Sequence, residues 1–586
     1  MSPEQARTTE IPEHLLPFVA EQDPSLYTPI DHASWRYIMR VSKRFFKEHA
    51  HQKYLDGLEE TGISTERIPL ISEMDECLKR FGWRAVAVVG FIPPALFLEF
   101  QSLGILVIAC DMRRLEHLGY TPAPDIVHEA AGHAPIVADK EYRTYLRNYG
   151  EVARHAIFSK KDLDMYDAIR TLSDLKEDPK TTEDQIRSAQ ERFEKVSASI
   201  SEASEASKLS RMAWWTVEYG LVGDMKNPSI YGAGLLSSVS ESFHYLDKDV
   251  KKVPLSVACV EQGYDITKPQ PQLYVTPDFS TLTRVLDEFA NTMAFRKGGV
   301  EGLNKAKQAE ATTTTRLDSG LQISSILADF MQNETGQPIY LQYSGPTQLA
   351  FKDQELEGQD PKHHVQGFGT PIGKIILPLN QKKSPAALTE TDLSNLGFTS
   401  GKSSTLNFES GIQVNGVLKN TLIRQGKFLV LTFDSCTVTL GTITLFKPEW
   451  GTFDMACGET VVSVSGDAAD RVAYLKATGG FKQKPASQKT NSLPKTKELE
   501  GLYQRLREIR EKDQLKSRFS ELSEIYSTLE KKYPDDWLLR LELLELDSKQ
   551  GLGATWAENI RENLKRLASS SPDLNELISR GLDLLK

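Results

Sequence analysis

Two histidines five positions apart in PDIVHEAAGHAPIVAD (124–139) are the residues of this 586-residue chain whose types and spacing most plainly suggest chemistry. His128 and His133 could share one divalent metal, as the histidines of H-E-x-x-H do, but there the spacing is four and one face of an α-helix carries both. Five positions place the second histidine about 140° around an ideal helix from the first, so a straight helix points them apart. The neighbouring residues predict a break. Pro124 and Asp125 read as a helix start with Asp125 as N-cap, Gly132 as a left-handed end and Pro135 as a stop. A short helix over 126–131 would then turn at its end and swing His133 back toward His128. The competing reading is a capped surface helix with one histidine satisfied in the core.

A metal held by two imidazoles needs a third ligand, and RMAWWTVEYGL (211–221) offers Glu218 among Trp214, Trp215, Val217, Tyr219 and Leu221. A carboxylate expected to be buried there is costly unless a cation neutralises it. Two histidines and one carboxylate with open positions describe the facial triad of non-haem Fe(II) oxygenases, and zinc hydrolases use the same ligand types.

The elements that must position these groups come from a chain long enough for two or three domains, with 40% hydrophobic residues to bury. The net charge of −10 argues against a nucleic-acid partner, which calls for a basic surface. Cys77, Cys110, Cys259, Cys436 and Cys457 are odd in number and show no C-x-x-C spacing, the pattern of reduced thiols in a cytoplasm. The N-terminus lacks a signal-peptide core and no stretch is apolar enough to span a membrane, so no membrane association is expected.

Along the chain, residues 1–24 read as a tail and 25–330 as a compact, mainly helical domain that includes the apolar runs AVAVVGF (85–91) and LGILVIAC (103–110). Within it, 160–207 reads as an inserted helical hairpin, with a capping box at Thr182 and Gln185 and a stripe of Ile186, Phe193, Val196 and Ile200. LQISSILADF (321–330) could close this domain as a helix or open the next, so the boundary is set after it. Residues 335–478 read as a β-rich domain of unknown role, with an Asn-Gly hairpin signal in GIQVNGVL (411–418). His363 and His364 in PKHHVQG read as a polar loop, with a weak metal signal. Residues 479–497 are polar and aperiodic, a linker, and 498–586 form a helical hairpin region, its first stripe broken at Pro534.

YTPAPDIVHEAAGHAPIVAD, WWTVEYGL and YGAGLLSS (231–238), in this order, resemble the pterin-dependent aromatic amino acid hydroxylases, specifically bacterial phenylalanine 4-monooxygenase-like members, over roughly residues 25–300. The resemblance implies a mainly α catalytic domain of the aromatic amino acid hydroxylase type, here followed by the small β-rich domain and the C-terminal helical segment. It implies Fe(II) held by His128, His133 and Glu218. It implies a tetrahydropterin, tetrahydrobiopterin or a relative, stacked on Phe97, with Glu129 orienting pterin and oxygen as a catalytic group. Arg113 would pair with the carboxylate of an aromatic L-amino acid, Arg114 being an adjacent competitor, and Thr121, Pro124, Trp214, Tyr219, Gly234 and Ser237 would line the substrate pocket. The implied reaction converts phenylalanine to tyrosine with O2. Tyrosine or tryptophan hydroxylation is the alternative, and a zinc-dependent hydrolase on the same fold a further one. Trp214 suits a one-ring substrate, whereas Ala213, where the family usually has tyrosine, and the loop AFRKGGVEG (294–302) depart from the family pattern. The C-terminal regions are read as a module for a protein partner or self-association, and residues 1–330 are expected to fold and catalyse without them.

Overall fold

The structure is a computed structural model and describes every residue except 1–10, 91, 120–123, 178–180, 201, 267, 400, 480–487, 489, 494–495, 513–516, 552 and 586. Up to Ala309 the described elements are mostly helices. The first long one, Pro29–His49, starts where its residues dictate: Thr28 and Asp31 form a reciprocal capping box and proline fills the first helical position. The two apolar runs form a parallel pair, Arg84–Val88 on Ile105–Ala109. A second small sheet has the order Ser229–Ile230, Leu221–Val222, Gln272–Thr276, Lys251–Pro254. The expected hairpin is present as helices Lys160–Glu177 and Glu183–Ser199, the latter capped by Thr182 and Gln185.

From Thr312 the chain turns to strands, and the boundary expected at 330 falls inside one. Thr312–Leu317, Leu321–Gln332 and Pro338–Phe351 pair antiparallel, and LQISSILADF is a strand. Its β-branched residues and the left-handed Gly320 between the first two strands (φ 93°) account for this. The strand Val461–Gly466 returns some 145 residues later in sequence to pair with Thr312–Leu317, so this sheet holds both ends of the β-region. A second sheet is built on Lys427–Leu440, with Ile412–Arg424 on one side. Asn415-Gly416 does not make the expected hairpin turn. Gly416 sits inside the strand Ile412–Arg424, where a Cβ would lie 3.1 Å from the Asp434 carbonyl oxygen, and the turn is made by Gln425 and Gly426, both at positive φ.

Among the described residues the last region holds five helices, Lys497–Glu511, Phe519–Lys532, Leu538–Gln550, Ala557–Ala568 and Pro572–Asp583, instead of one hairpin. They do not stand apart. Leu502, Tyr503, Leu538, Leu544 and Ile578 belong to the same buried cluster as Trp35, Ile38 and Met39 of the Pro29–His49 helix. Arg36, whose side chain is 2% exposed, forms a two-pronged ion pair with Glu542 at 2.7 and 2.9 Å, and the Tyr37 hydroxyl donates to the Leu577 carbonyl at 2.6 Å. The described part of the expected linker is also tied down: the Asn491 amide donates to the Asp31 carboxylate and the Met112 carbonyl, and Gln488 donates to the Cys110 carbonyl. Among the described residues no helix is long and apolar enough to cross a membrane.

Candidate metal centre

His128 and His133 lie in one unbroken element, a π-helix over Val127–His133. A π-helix bonds i to i+5 and winds wider than an α-helix, so residues five apart stack on one face. That replaces the expected break. Ala134, which follows, keeps helical angles (φ −65°, ψ −42°), and Gly132 is not among the glycines with positive φ. Gly132 is needed for a different reason, since a Cβ there would lie 2.7 Å from the Ala233 carbonyl oxygen. Asp125 does act as the cap, accepting the His128 N–H at 3.0 Å. Glu218 ends a second π-helix, Trp214–Glu218, in which the Tyr219 N–H reaches back to the Trp214 carbonyl at 2.9 Å.

The ligand atoms of the three residues converge. His128 Nε2 and His133 Nε2 are 3.1 Å apart, His133 Nε2 is 3.2 Å from one Glu218 oxygen and His128 Nε2 is 3.4 Å from the other. Donors bound to one metal at about 2.1 Å stand about 3.0 Å apart at right angles and about 3.4 Å at tetrahedral angles, so the donor set fits a single ion. The Glu218 side chain is 22% exposed, which leaves the open side that an exchangeable metal site needs. Burial, helped by the neighbouring His133 and Arg113 and opposed by Glu218, drives His128 down to about 4. Burial also opposes a charge on His133, but the Glu218 carboxylate outweighs it and holds His133 up at about 9, while Glu218, despite its partial burial, is drawn down to about 2 by the two imidazoles.

The surrounding groups orient these ligands. The Ser237 hydroxyl donates to the Ala233 carbonyl at 2.8 Å, so its contact of 3.0 Å with His128 Nδ1 must be accepted from Nδ1–H. That tautomer frees Nε2 for a metal. Arg113, buried, grips Asp125 with Nε and Nη2 at 2.8 Å each and the Ser237 carbonyl with Nη1 at 3.0 Å. Burial works against the Asp125 charge, yet the guanidinium holds its carboxyl below the usual range. Arg113, Asp125, Ser237 and His128 thus form one connected unit. The Gly234 N–H serves the Glu218 carboxylate. Burial pushes the Glu129 carboxyl up to about 8, against the pull of His133.

Of the other expected pocket residues, Trp214 is half-buried, stacks on Tyr219 (4.6 Å between centroids) and on Tyr264 (4.2 Å, 8° between planes), and donates Nε1–H to Gln270 at 3.3 Å. Tyr264 and Gln270 went unnoticed in the sequence because neither belongs to a motif. Pro124 is exposed, just before Asp125. Phe97 is half-buried on the helix Pro94–Ser102, packed against the cluster of Leu15, Val88, Leu96 and Phe100. Thr121 lies outside the described residues.

A family model for biopterin-dependent aromatic amino acid hydroxylases matches residues 17–156 and 189–308. The unmatched stretch between them falls largely on the first helix of the inserted hairpin. The phenylalanine-4-hydroxylase of Ralstonia nicotianae is 28% identical over 273 residues, covering 46% of this chain and 71% of that protein. The phenylalanine-4-hydroxylase of Pseudomonas aeruginosa is 27% identical over 264 residues, 45% of this chain and 84% of that protein. The solved structure of Chromobacterium violaceum phenylalanine hydroxylase with iron and phenylalanine bound aligns at 23% identity and a TM-score of 0.36 over 49% of this chain and 90% of that one; so low a score adds nothing to the sequence match. The matched residues include His128, His133 and Glu218 and stop just short of the first strand of the β-region: over residues 17–156 and 189–308 the chain is similar to the biopterin-dependent aromatic amino acid hydroxylase family.

Proposed function

We propose that the protein hydroxylates the ring of a free aromatic L-amino acid, phenylalanine to tyrosine, with Fe(II), a tetrahydropterin and O2. The observation that carries this reading is the convergence of His128 Nε2, His133 Nε2 and the Glu218 carboxylate at 3.1–3.4 Å, open on one side. Iron and pterin together supply the activation of oxygen, one atom of which ends on the ring and the other on the pterin, which is oxidised by two electrons.

The chain's own residues bind, orient and exclude water. Arg113 has three of its five N–H groups engaged by Asp125 and Ser237 through the contacts above, and the outer edge of its guanidinium is the part that would receive the substrate carboxylate. Held this rigidly, it sets the distance from carboxylate to ring and hence which ring carbon faces the metal. Trp214, fixed by Tyr264 and Gln270, would present a firm aromatic wall suited to a single ring. Phe97 would stack the pterin, and Glu129, whose carboxyl is raised by burial, would orient it through a hydrogen bond. Pro124, Tyr219 and Gly234 complete the proposed pocket. The five free cysteines, none of them paired, support a reducing, cytoplasmic setting.

The test is to load the purified protein with Fe(II) under anaerobic conditions, admit O2 with a tetrahydropterin and each aromatic amino acid in turn, and analyse products. Tyrosine formed from phenylalanine, with kcat/KM above that for tryptophan, is expected. Pterin consumption with none of the three amino acids would end the proposal.

A further inference from the structure

A second convergence of ligand-type side chains lies in the β-region, which the family match does not reach: His363, His364 and Asp454 bring one ligand atom each within 4.8 Å of one another. Asp454 sits on the strand Phe453–Ala456, paired with Thr432 of the long strand Lys427–Leu440. The two histidines end the turn that leads to Gly367–Pro371, a strand of the other sheet, paired with Pro338–Phe351. The turn is fixed independently of any ion. Asp360 accepts both the His363 and His364 N–H groups through its carbonyl, and the His363 N–H also through its carboxylate at 2.7 Å. His363 Nε2 is 2.8 Å from Asp454 Oδ2, His364 Nε2 is 3.8 Å from the same oxygen, and Gln359 Oε1 is 2.9 Å from His364 Nε2. Donors about one metal with bonds of about 2.1 Å are separated by about 3.0–3.4 Å, a value that 2.8 and 3.8 Å bracket.

The electrostatics ask for a cation. The Asp454 side chain is 2% exposed, its other oxygen takes the Thr432 hydroxyl at 2.5 Å, and among the described residues no lysine or arginine stands within ion-pair distance. A buried carboxylate left with imidazoles alone is expensive. The His364 side chain is 9% exposed, so it meets Asp454 in an environment that water hardly reaches. His363, 44% exposed, leaves a path for the ion.

From this geometry we propose that His363, His364 and Asp454, with Gln359 as a fourth donor, form a second cation site for a divalent first-row metal of the zinc type, which staples the two sheets of the β-region. Two imidazole nitrogens with two oxygens form a borderline donor set that suits zinc and disfavours calcium or magnesium. The site is distinct from the His128 centre in position and in role, being structural.

The experiment strips the full-length protein with chelator and titrates it with Zn2+ by calorimetry, with metal analysis of the dialysed product. Wild type is expected to hold two zinc ions per chain and His363→Gln one, because the half-exposed His363 can be replaced without disturbing the core. His133→Gln should lose the other ion and keep this one. Failure of the hydroxylase reading would leave this second ion in place, so the two ideas fall separately. His363→Gln with wild-type stoichiometry and zinc affinity would overturn the proposal, and would leave only a hydrogen-bonded cluster of His363, Thr432 and Asp454. X-ray absorption of zinc-loaded His133→Gln gives a check that needs no change at the new site: two imidazoles in the zinc shell are expected, and a shell of water oxygens alone would refute it.

Discussion

Replacing Ser237 with alanine isolates one link between the metal ligands and their supports. In the folded protein the His128 Nδ1–H is accepted by Ser237 Oγ at 3.0 Å, and the hydroxyl's own proton is spent on Ala233 at 2.8 Å. Alanine leaves a buried N–H without an acceptor. The imidazole can escape by moving the proton to Nε2, but Nε2 is the atom that faces His133 and Glu218, and a protonated Nε2 cannot bind a metal. Iron must then restore the unfavourable tautomer, which costs about 1–3 kcal/mol for a buried unpaired donor. At about 1.4 kcal/mol per tenfold, Fe(II) should bind about 5- to 150-fold more weakly. Anaerobic equilibrium dialysis against graded Fe(II), with metal analysis of the protein, measures this directly. Ser238→Ala is the control, since among the described residues its hydroxyl bonds the Gly119 carbonyl and the Glu241 N–H and not His128. An iron affinity for Ser237→Ala within twofold of wild type would refute the tautomer argument.

Gly132→Ala should keep the fold and lose iron, because a Cβ would lie 2.7 Å from the Ala233 carbonyl oxygen and must push the Ala233–Ser237 helix off the π-helix; normal iron occupancy with an unchanged circular dichroism spectrum would contradict this. Burial raises the Glu241 carboxyl from 4.5 to about 7, with Tyr219 as its hydrogen-bond partner. A raised carboxyl contributes stability that is fully present below its unfolded value and lost as pH rises through about 7, a change of about 3 kcal/mol. Thermal unfolding from pH 4.5 to 8 should therefore show a decline that Glu241→Gln flattens. Glu542→Ala should destabilise the full chain by about 3–5 kcal/mol by stranding Arg36, with much of the loss recovered in the double variant Arg36→Met, Glu542→Leu; urea unfolding of the three proteins decides. A fragment ending at 330 should be insoluble, which is the reverse of what the chain pattern suggests on its own.

The chemistry was more legible in the residues than the architecture was. H-x4-H and a carboxylate among aromatics named the three converging groups, because ligand identity is written in residue type. The means of convergence was misread. A spacing of five looks wrong on an α-helix and right on a π-helix, and nothing local in AAGH announces the wider winding. Ser237, expected to line the pocket, also accepts from His128 and so sets its tautomer, a role visible only once two segments 109 residues apart meet. Asn415-Gly416 carries the strongest local turn signal in its stretch, yet pairing with strands on both sides keeps it in a strand. The apolar stripes of the C-terminal helices were found, but a stripe does not say what it packs on, and their partner proved to be a helix near the other end of the chain.

That pairing has a consequence for how the protein is made. Arg36 waits for a partner 506 residues later, and Tyr37 for one 540 residues later. At synthesis rates of about 5–20 residues per second, the Pro29–His49 helix emerges roughly 25–100 s before the helices that cover it. During that interval the nascent chain carries an unneutralised arginine and a bare apolar face, the surface that chaperones bind. The half that carries the metal ligands therefore completes its core only after the helices between Lys497 and Asp583 have emerged, and a chain stalled before them has its iron ligands already made and its first long helix uncovered.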